Sequence, residues 1–261
     1  MKTDIMFQSG DIPHNKEERQ LQPPNLPENA ALFLDFDGCL VELAPTPDAV
    51  VVPGGLPARL ERLYRRQGGA VALISGRNIA DLIHYLPGFP GMIAGGHGAE
   101  LRLSGGRIET IAAARSDIVN LHDRVRKLAA SHDGLLVEPK PHGVVMHYRA
   151  APDLAGWVAR AMEGLAADFP ELAIQHGKMV IELRPRDASK DRALSRLMAM
   201  PDFEGRPPVY IGDDLTDEAA MAEAQARGGL GIKIGTGETC ALYRLKGPRA
   251  LSDWLDLSLD D

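Results

Sequence analysis

The chain is poor in cysteine and in aromatic residues. Its two cysteines, Cys39 and Cys240, stand far apart in 261 residues. That argues against a disulfide framework and for a reducing compartment, here read as cytoplasmic. Aromatic side chains make up only 5%, and Lys and Arg are outnumbered by Asp and Glu, 29 to 36, for a net charge of −7. A surface of that sign does not suit nucleic acid as the main partner. No apolar run approaches a membrane span. The first residues, polar and proline-bearing as far as "PPNLP", lack the apolar stretch of a secretory signal. Residues 1–28 read as a flexible leader or loosely docked arm.

What the chain has is a 44% apolar content, arranged in short runs. "AALFLDF" at 30–36 and "GAVALI" at 69–74 read as buried strands, and "GMIAGGHGAELRL" at 91–103 reads as strand, glycine turn, strand. Between them lie helical patterns. Leu56, Leu60, Leu63 and Tyr64 share one face of the first, and Asn78 caps the second. Strand–helix–strand–helix–strand argues for a doubly wound parallel sheet, a Rossmann-like α/β core. From Arg115 to Arg186 the grammar changes to helix, hairpin, helix, hairpin, which is α+β and reads as an inserted module. After it the first grammar returns, with a helix from Ser189, the strand "PPVYIGDD", a helix and the strand "LGIKIG". The division is therefore 29–114 with 187–261 for the core and 115–186 for the insert.

The strands end in chemistry. The first finishes on Asp35-Phe36-Asp37 and a glycine, the second on Ser75-Gly76, and the strand before 215 on Asp213-Asp214. Ligands of doubly wound sheets sit beyond these ends. Two carboxylates on one face of a strand repel each other unless a cation lies between them or one is protonated. Asp35, Asp37 and Asp213 together form a hard-oxygen cage that suits Mg²⁺. Lys190, at a helix start, is placed to neutralise a phosphoryl group. Ser75 Oγ and backbone N–H groups beside it, at Gly76, can hold phosphoryl oxygens. Asp35 is then the nucleophile, giving an aspartyl-phosphate, and Asp37 the acid and base. Asp214 and Asp217 stand behind Asp213: Asp214 or Thr216 as the helix cap, Asp217 steering Asp213 or a metal-bound water. The plainer readings are a turn for Ser75, a solvated helix lysine for Lys190 and a capped helix start for "GDDLTDE".

These residues resemble the motifs of the haloacid dehalogenase superfamily: "DFDGC", "LISGR", Lys190 and "GDDLTD" in order, with the insert where a C2-type cap sits. A narrower resemblance is to the trehalose-6-phosphate phosphatase family, in "GGHGAE" (95–100), "VEPK" (137–140), "HYR" (147–149), "GKMVIELRP" (177–185) and "IGDDLTDE" (211–218). The resemblance implies Mg²⁺-dependent hydrolysis of trehalose 6-phosphate and functional coupling to the synthase that makes it. It implies no membrane or nucleic-acid partner. It also implies that the cap reads the sugar through Glu138, Lys140, Glu182 and Lys178. His97 either faces the substrate or only satisfies its glycine-rich turn. The chain departs from the pattern at Cys39, where threonine is usual, and at Asp191, where glycine is common. Asp191 either pairs with Lys190 or points away along the helix. Rival readings are a phosphatase of sucrose phosphate or mannosylphosphoglycerate, and, from another class, a phosphoreceiver module without turnover. Asp37 speaks against the receiver, which needs no acid two residues beyond its phosphorylated aspartate.

Overall fold

The computed structural model describes residues 21–110, 115–177 and 179–260. The core strands are β1 (Ala31–Leu34), β2 (Val71–Ile74), β3 (Met92–Gly95), β4 (Glu100–Arg102) and β5 (Ile108–Thr110) before the insert. The insert holds β6 (Leu136–Lys140), β7 (Gly143–His147), β8 (Leu172–Gly177) and β9 (Val180–Pro185). The core resumes with β10 (Pro208–Gly212), β11 (Leu230–Ile234) and β12 (Tyr243–Leu245). The helices are α1 (Leu56–Arg66), α2 (Ile79–Tyr85), α3 (Arg115–Ala129), α4 (Ala155–Asp168), α5 (Lys190–Met198), α6 (Leu215–Ala226) and α7 (Pro248–Asp260).

Strands β1, β2, β3 and β10 are apolar at every position because their alternate side chains enter two different cores. Leu32 and Leu34 of β1 pack with Leu60 and Leu63 of α1, Leu82 of α2 and Trp254 of α7. Ala31 and Phe33 point the other way, to Leu194 and Leu197 of α5 and Met221 of α6. Among the described residues the sheet runs β12-β11-β10-β1-β2-β3-β4-β5. It is parallel as far as β3 and antiparallel over β4 and β5. The chain leaves β1 to one side, towards β2, and returns after the insert on the other side, as β10. The topological switch point, where such sheets bind ligands, is therefore at the carboxyl end of β1.

The insert forms a separate antiparallel sheet in the order β6-β7-β9-β8. Its strands alternate in earnest. Val144, Met146, Ile181 and Leu183 pack against Leu121 and Val125 of α3 and Val158 and Met162 of α4. Glu138, Val145 and Glu182 are paired across the sheet, so they share the other face. The expected architecture, a doubly wound core with an inserted α+β cap, is the one present.

Three elements lie outside the sequence expectation: β5, β12 and α7. Residues 21–28 are docked. Trp254 Nε1 donates to the Pro24 carbonyl at 3.0 Å, Ser258 Oγ accepts from Leu26 N–H at 3.2 Å, and the Leu26 side chain is buried. Residues 1–20, the bulk of the expected leader, lie outside the described residues. So does 111–114, just before the expected hinge at Arg115.

Candidate active site

The loop after β1 builds the floor of the site. Asp35 N–H donates to the Ile211 carbonyl at 3.0 Å, which ties the first residue past β1 to β10. Regular strand ends at Leu34, so the alternation that would align Asp35 with Asp37 does not extend to Asp37. Each carboxylate is held by its own cation. Arg77, two residues past Ser75, donates Nε (2.6 Å) and Nη2 (2.8 Å) to the two oxygens of Asp37. The same guanidinium lies over the rings of Phe36 and Tyr85. Asp35 meets Lys190 Nζ at 3.0 Å.

Lys190 is 3% exposed and is also 2.7 Å from Asp217 Oδ1. Burial lowers its pKa, but the Asp217 and Asp35 carboxylates outweigh that and raise it. Asp217 is itself fully buried. It accepts from Tyr210 Oη at 2.6 Å and, through its other oxygen, from Asp214 N–H at 3.0 Å. Its carboxylate therefore orients Lys190 and closes the first turn of α6. Of the two cap candidates, Asp214 is the N-cap residue of α6, and Thr216 lies inside the helix. Lys190 pairs with Asp35 and Asp217 and not with Asp191. The charge of Asp191 is felt by Arg184 of β9, whose pKa burial lowers and Glu182 and Asp191 support.

Asp35, Asp213 and Cys39 each offer a ligand atom within 4.8 Å of the others. Gly38 makes this possible. Its φ is +73°, and a Cβ there would sit 2.1 Å from Asp213 Oδ2. The cluster carries surplus negative charge. Burial, then Asp217 and Asp213 against the opposing pull of Lys190, raise the Asp35 pKa well above the usual carboxylate range. Burial and Asp217 push Asp213 up to about 6. Burial and the same carboxylates raise the Cys39 thiol far above its ordinary value. Two carboxylates whose charge Lys190 only partly offsets, beside a thiol that stays protonated, form a donor set fitted to a hard dication such as Mg²⁺ and not to a soft metal. The Asp37 carboxylate is not part of this cluster.

Ser75, at the end of β2, is buried, and its Oγ accepts from Arg77 N–H at 3.2 Å, holding the turn. Gly76 and Glu100 line a narrow cleft between core and cap, opposite Lys140, His142, Glu182 and Arg184. His97 stands beside two of the lining residues, Glu182 and Gly76. Its Nε2 is 3.7 Å from Glu182 Oε2, and its ring packs where a Cβ on Gly76 would stand. His142 Nε2 reaches Glu100 Oε1 at 3.1 Å, and Glu100 Oε2 accepts from Ile79 N–H at 2.9 Å. Within the cap, Glu138 lies 2.5 Å from Lys140 and 2.9 Å from His147. Those two partners, His147 first, against the opposing effect of burial, hold the Glu138 carboxyl down at about 2. Lys178 lies outside the described residues.

The arrangement is that of a phosphoryl-transfer site beneath a polar lid, and comparison with known proteins agrees. The trehalose-phosphatase family model matches residues 33–249. The chain belongs to the trehalose-phosphatase family. It is 46% identical over 211 residues to a probable trehalose-phosphate phosphatase of Sinorhizobium fredii, covering 80% of this chain and 78% of that one. It is 38% identical over 240 residues to the trehalose-6-phosphate phosphatase of Escherichia coli, covering 90% and 89%. Among solved structures, a trehalose-6-phosphate phosphatase related protein superposes with a TM-score of 0.76 at 25% identity, over 88% of this chain and 96% of that one. A haloacid dehalogenase-like hydrolase from Bacteroides thetaiotaomicron shares the fold, with a TM-score of 0.63 at 16% identity over 88% and 98%.

Several residues of this trehalose-phosphatase site escaped the sequence reading. Arg77 stands inside the quoted "LISGR", but nothing local links it to Asp37, forty positions away. Glu100 and His142 meet only because the cap folds over the core. Tyr210 looks like one more apolar strand residue. Lys233 left a signal, a lone charge in the apolar run "LGIKIG". Charged side chains are almost never fully buried without a partner.

Proposed function

We propose that the protein hydrolyses trehalose 6-phosphate to trehalose and inorganic phosphate, with Asp35 as the nucleophile. One observation carries this reading: in a chain of the trehalose-phosphatase family, Asp35, Asp213 and Lys190 converge at the switch point of the sheet although far apart in sequence. Asp35 attacks phosphorus in line, and the sugar oxygen leaves with a proton from Asp37. Water, deprotonated by Asp37, then cleaves the aspartyl-phosphate. Lys190, oriented by Asp217 and Tyr210, neutralises charge on the phosphoryl oxygens, and Ser75 and the Gly76 backbone hold them. Asp37 takes part only after its carboxylate leaves Arg77, so Arg77 parks the acid until substrate enters. Asp35 and Asp213 would hold Mg²⁺, which supplies positive charge against both carboxylates and the phosphoryl oxygens. A ligand role for the Asp37 carboxylate requires the same release from Arg77.

Residues 115–186 act as the cap and 29–114 with 187–261 as the core. Glu138, Lys140 and Glu182 read the sugar hydroxyls from the cap face turned to the cleft, and Lys178 is assigned to the sugar with them on the family resemblance alone. Without sugar, Glu138 and Lys140 satisfy one another, so substrate exchanges existing polar partners and meets no bare charges. The substrate must be supplied by a synthase that joins two glucose units, so the two activities are functionally coupled. No helix among the described residues is long and apolar enough to cross a membrane.

The test is phosphate release over a panel of sugar phosphates, with and without Mg²⁺. Trehalose 6-phosphate should be hydrolysed fastest, and chelation should abolish turnover. Faster release from sucrose phosphate or mannosylphosphoglycerate would overturn the substrate assignment.

A further inference from the structure

Lys233 lies in β11 between Ile232 and Ile234, and it is 4% exposed. A lysine there would be excluded from the interior unless something held its charge. Its strand position explains its reach. Lys233 pairs with Gly212, the last residue of β10, so it stands beside the residue that precedes Asp213. Its ammonium donates to the backbone carbonyl of Asp213. Glu218 of α6 is the carboxylate that faces it, 3.6 Å away through Oε1. Oε1 is buried and accepts no hydrogen bond among the described residues, so its compensation is the Lys233 charge. The other oxygen, Oε2, accepts from Thr239 Oγ1 at 3.0 Å and from Cys240 N–H at 2.8 Å. A continuous path therefore runs from the turn before β12, through Glu218 and Lys233, to the main chain of Asp213.

We infer that Lys233 is a positioning residue that fixes the Asp213 main chain, and so sets the affinity of the Asp35–Asp213 pair for its divalent cation. This rests on the metal reading given above. The physical reason is geometric. The Asp213 carboxylate occupies the space left by the missing side chain of Gly38, with little room to move on that side. Its direction is then set by the peptide that carries it. That peptide follows the last residue of β10, where the strand ladder stops. Lys233 replaces the missing ladder bond with a charged one, which is shorter and stronger than a neutral hydrogen bond. Glu218 keeps the ammonium from swinging towards the acidic cluster itself, where it would compete with the cation. Groups that orient metal ligands in this way are worth about 10–100-fold in metal affinity.

The experiment is calorimetric titration of the metal-free protein with Mg²⁺, alongside its thermal unfolding. Wild type should bind one ion. Lys233→Met should bind about tenfold more weakly, and Lys233→Arg, which keeps a cationic donor, should recover part of that loss. Glu218→Gln keeps an oxygen for Thr239 and Cys240 but removes the charge facing Lys233. It should weaken Mg²⁺ several-fold, and it decides the matter alone if Lys233→Met does not fold. A folded Lys233→Met or Glu218→Gln that lowers the melting temperature but binds Mg²⁺ as wild type does would overturn the inference and leave Lys233 a structural ion. Wild type that binds no Mg²⁺ would overturn the metal reading itself, and the inference with it.

Discussion

At the residue scale, the site depends on exclusion as much as on charge. Asp213 reaches Asp35 because Gly38 has no side chain in the way. A Gly38→Ala change puts a methyl carbon 2.1 Å from Asp213 Oδ2 and forces an L residue to φ +73°. The backbone strain costs about 1–2 kcal/mol, which the fold tolerates. The displaced carboxylate is the larger effect. Misplacement by about 1 Å can cost ~10²-fold in rate, so phosphate release at saturating Mg²⁺ should fall at least that far while circular dichroism stays native. Asp35→Asn is the sharper test of chemistry. The amide is nearly isosteric and Lys190 keeps Asp217, so the protein should fold, but an amide cannot attack phosphorus. Turnover should drop to background in a phosphate-release assay, and retained activity would contradict the nucleophile assignment.

At the element scale, the two sheets show two relations between pattern and face. The central core strands β1, β2, β3 and β10 are apolar at every position because helices cover both sides, and the reacting groups stand beyond their ends. Cap strands alternate, and the polar half of that alternation looks into the cleft. The alternation of β9 reads directly as Val180, Ile181, Glu182, Leu183, Arg184, and it sets Glu182 beside the cleft. Glu182→Ala should therefore raise KM for trehalose 6-phosphate by about 10–100-fold, the equivalent of one charged hydrogen bond. It should leave KM for a small aryl phosphate nearly unchanged. Equal effects on both substrates, measured by initial rates, would remove Glu182 from the sugar site. Elements with strong periodicity were legible throughout. β5 and β12 were not, since three residues give no period; β4, as short, was legible only through the glycine turn before it. Nor was α7 expected, although Leu251, Trp254 and Leu255 carry its buried stripe.

At the scale of the whole molecule, core and cap have separate hydrophobic interiors and meet through polar groups. Glu100–His142 and His97–Glu182 cross the cleft. Part-exposed pairs of this kind contribute about 0–1 kcal/mol each, too little to lock two domains. The cap should therefore move as a unit about the chain crossings near Arg115 and Arg186, opening for substrate and closing to exclude water. Hydrogen exchange of the Asp35→Asn variant should slow in the β6–β7 turn, around His142, when trehalose 6-phosphate is bound. Exchange that does not respond to the sugar phosphate would mean a rigid cleft.

The sequence by itself determined the doubly wound core with its separate antiparallel sheet, and it supplied the candidates for the reactive side chains. Those follow from local periodicity and from which residues stand at strand ends. Only the tertiary structure decided how the charges are shared. Asp37 belongs to Arg77, Asp217 to Lys190 and Tyr210, and Glu100 to His142, each pairing across segments that no local pattern connects. A carboxylate's partner is chosen by distance through space, within a few ångströms, and the order of residues along a chain does not encode that distance until the sheet has brought its strand ends together.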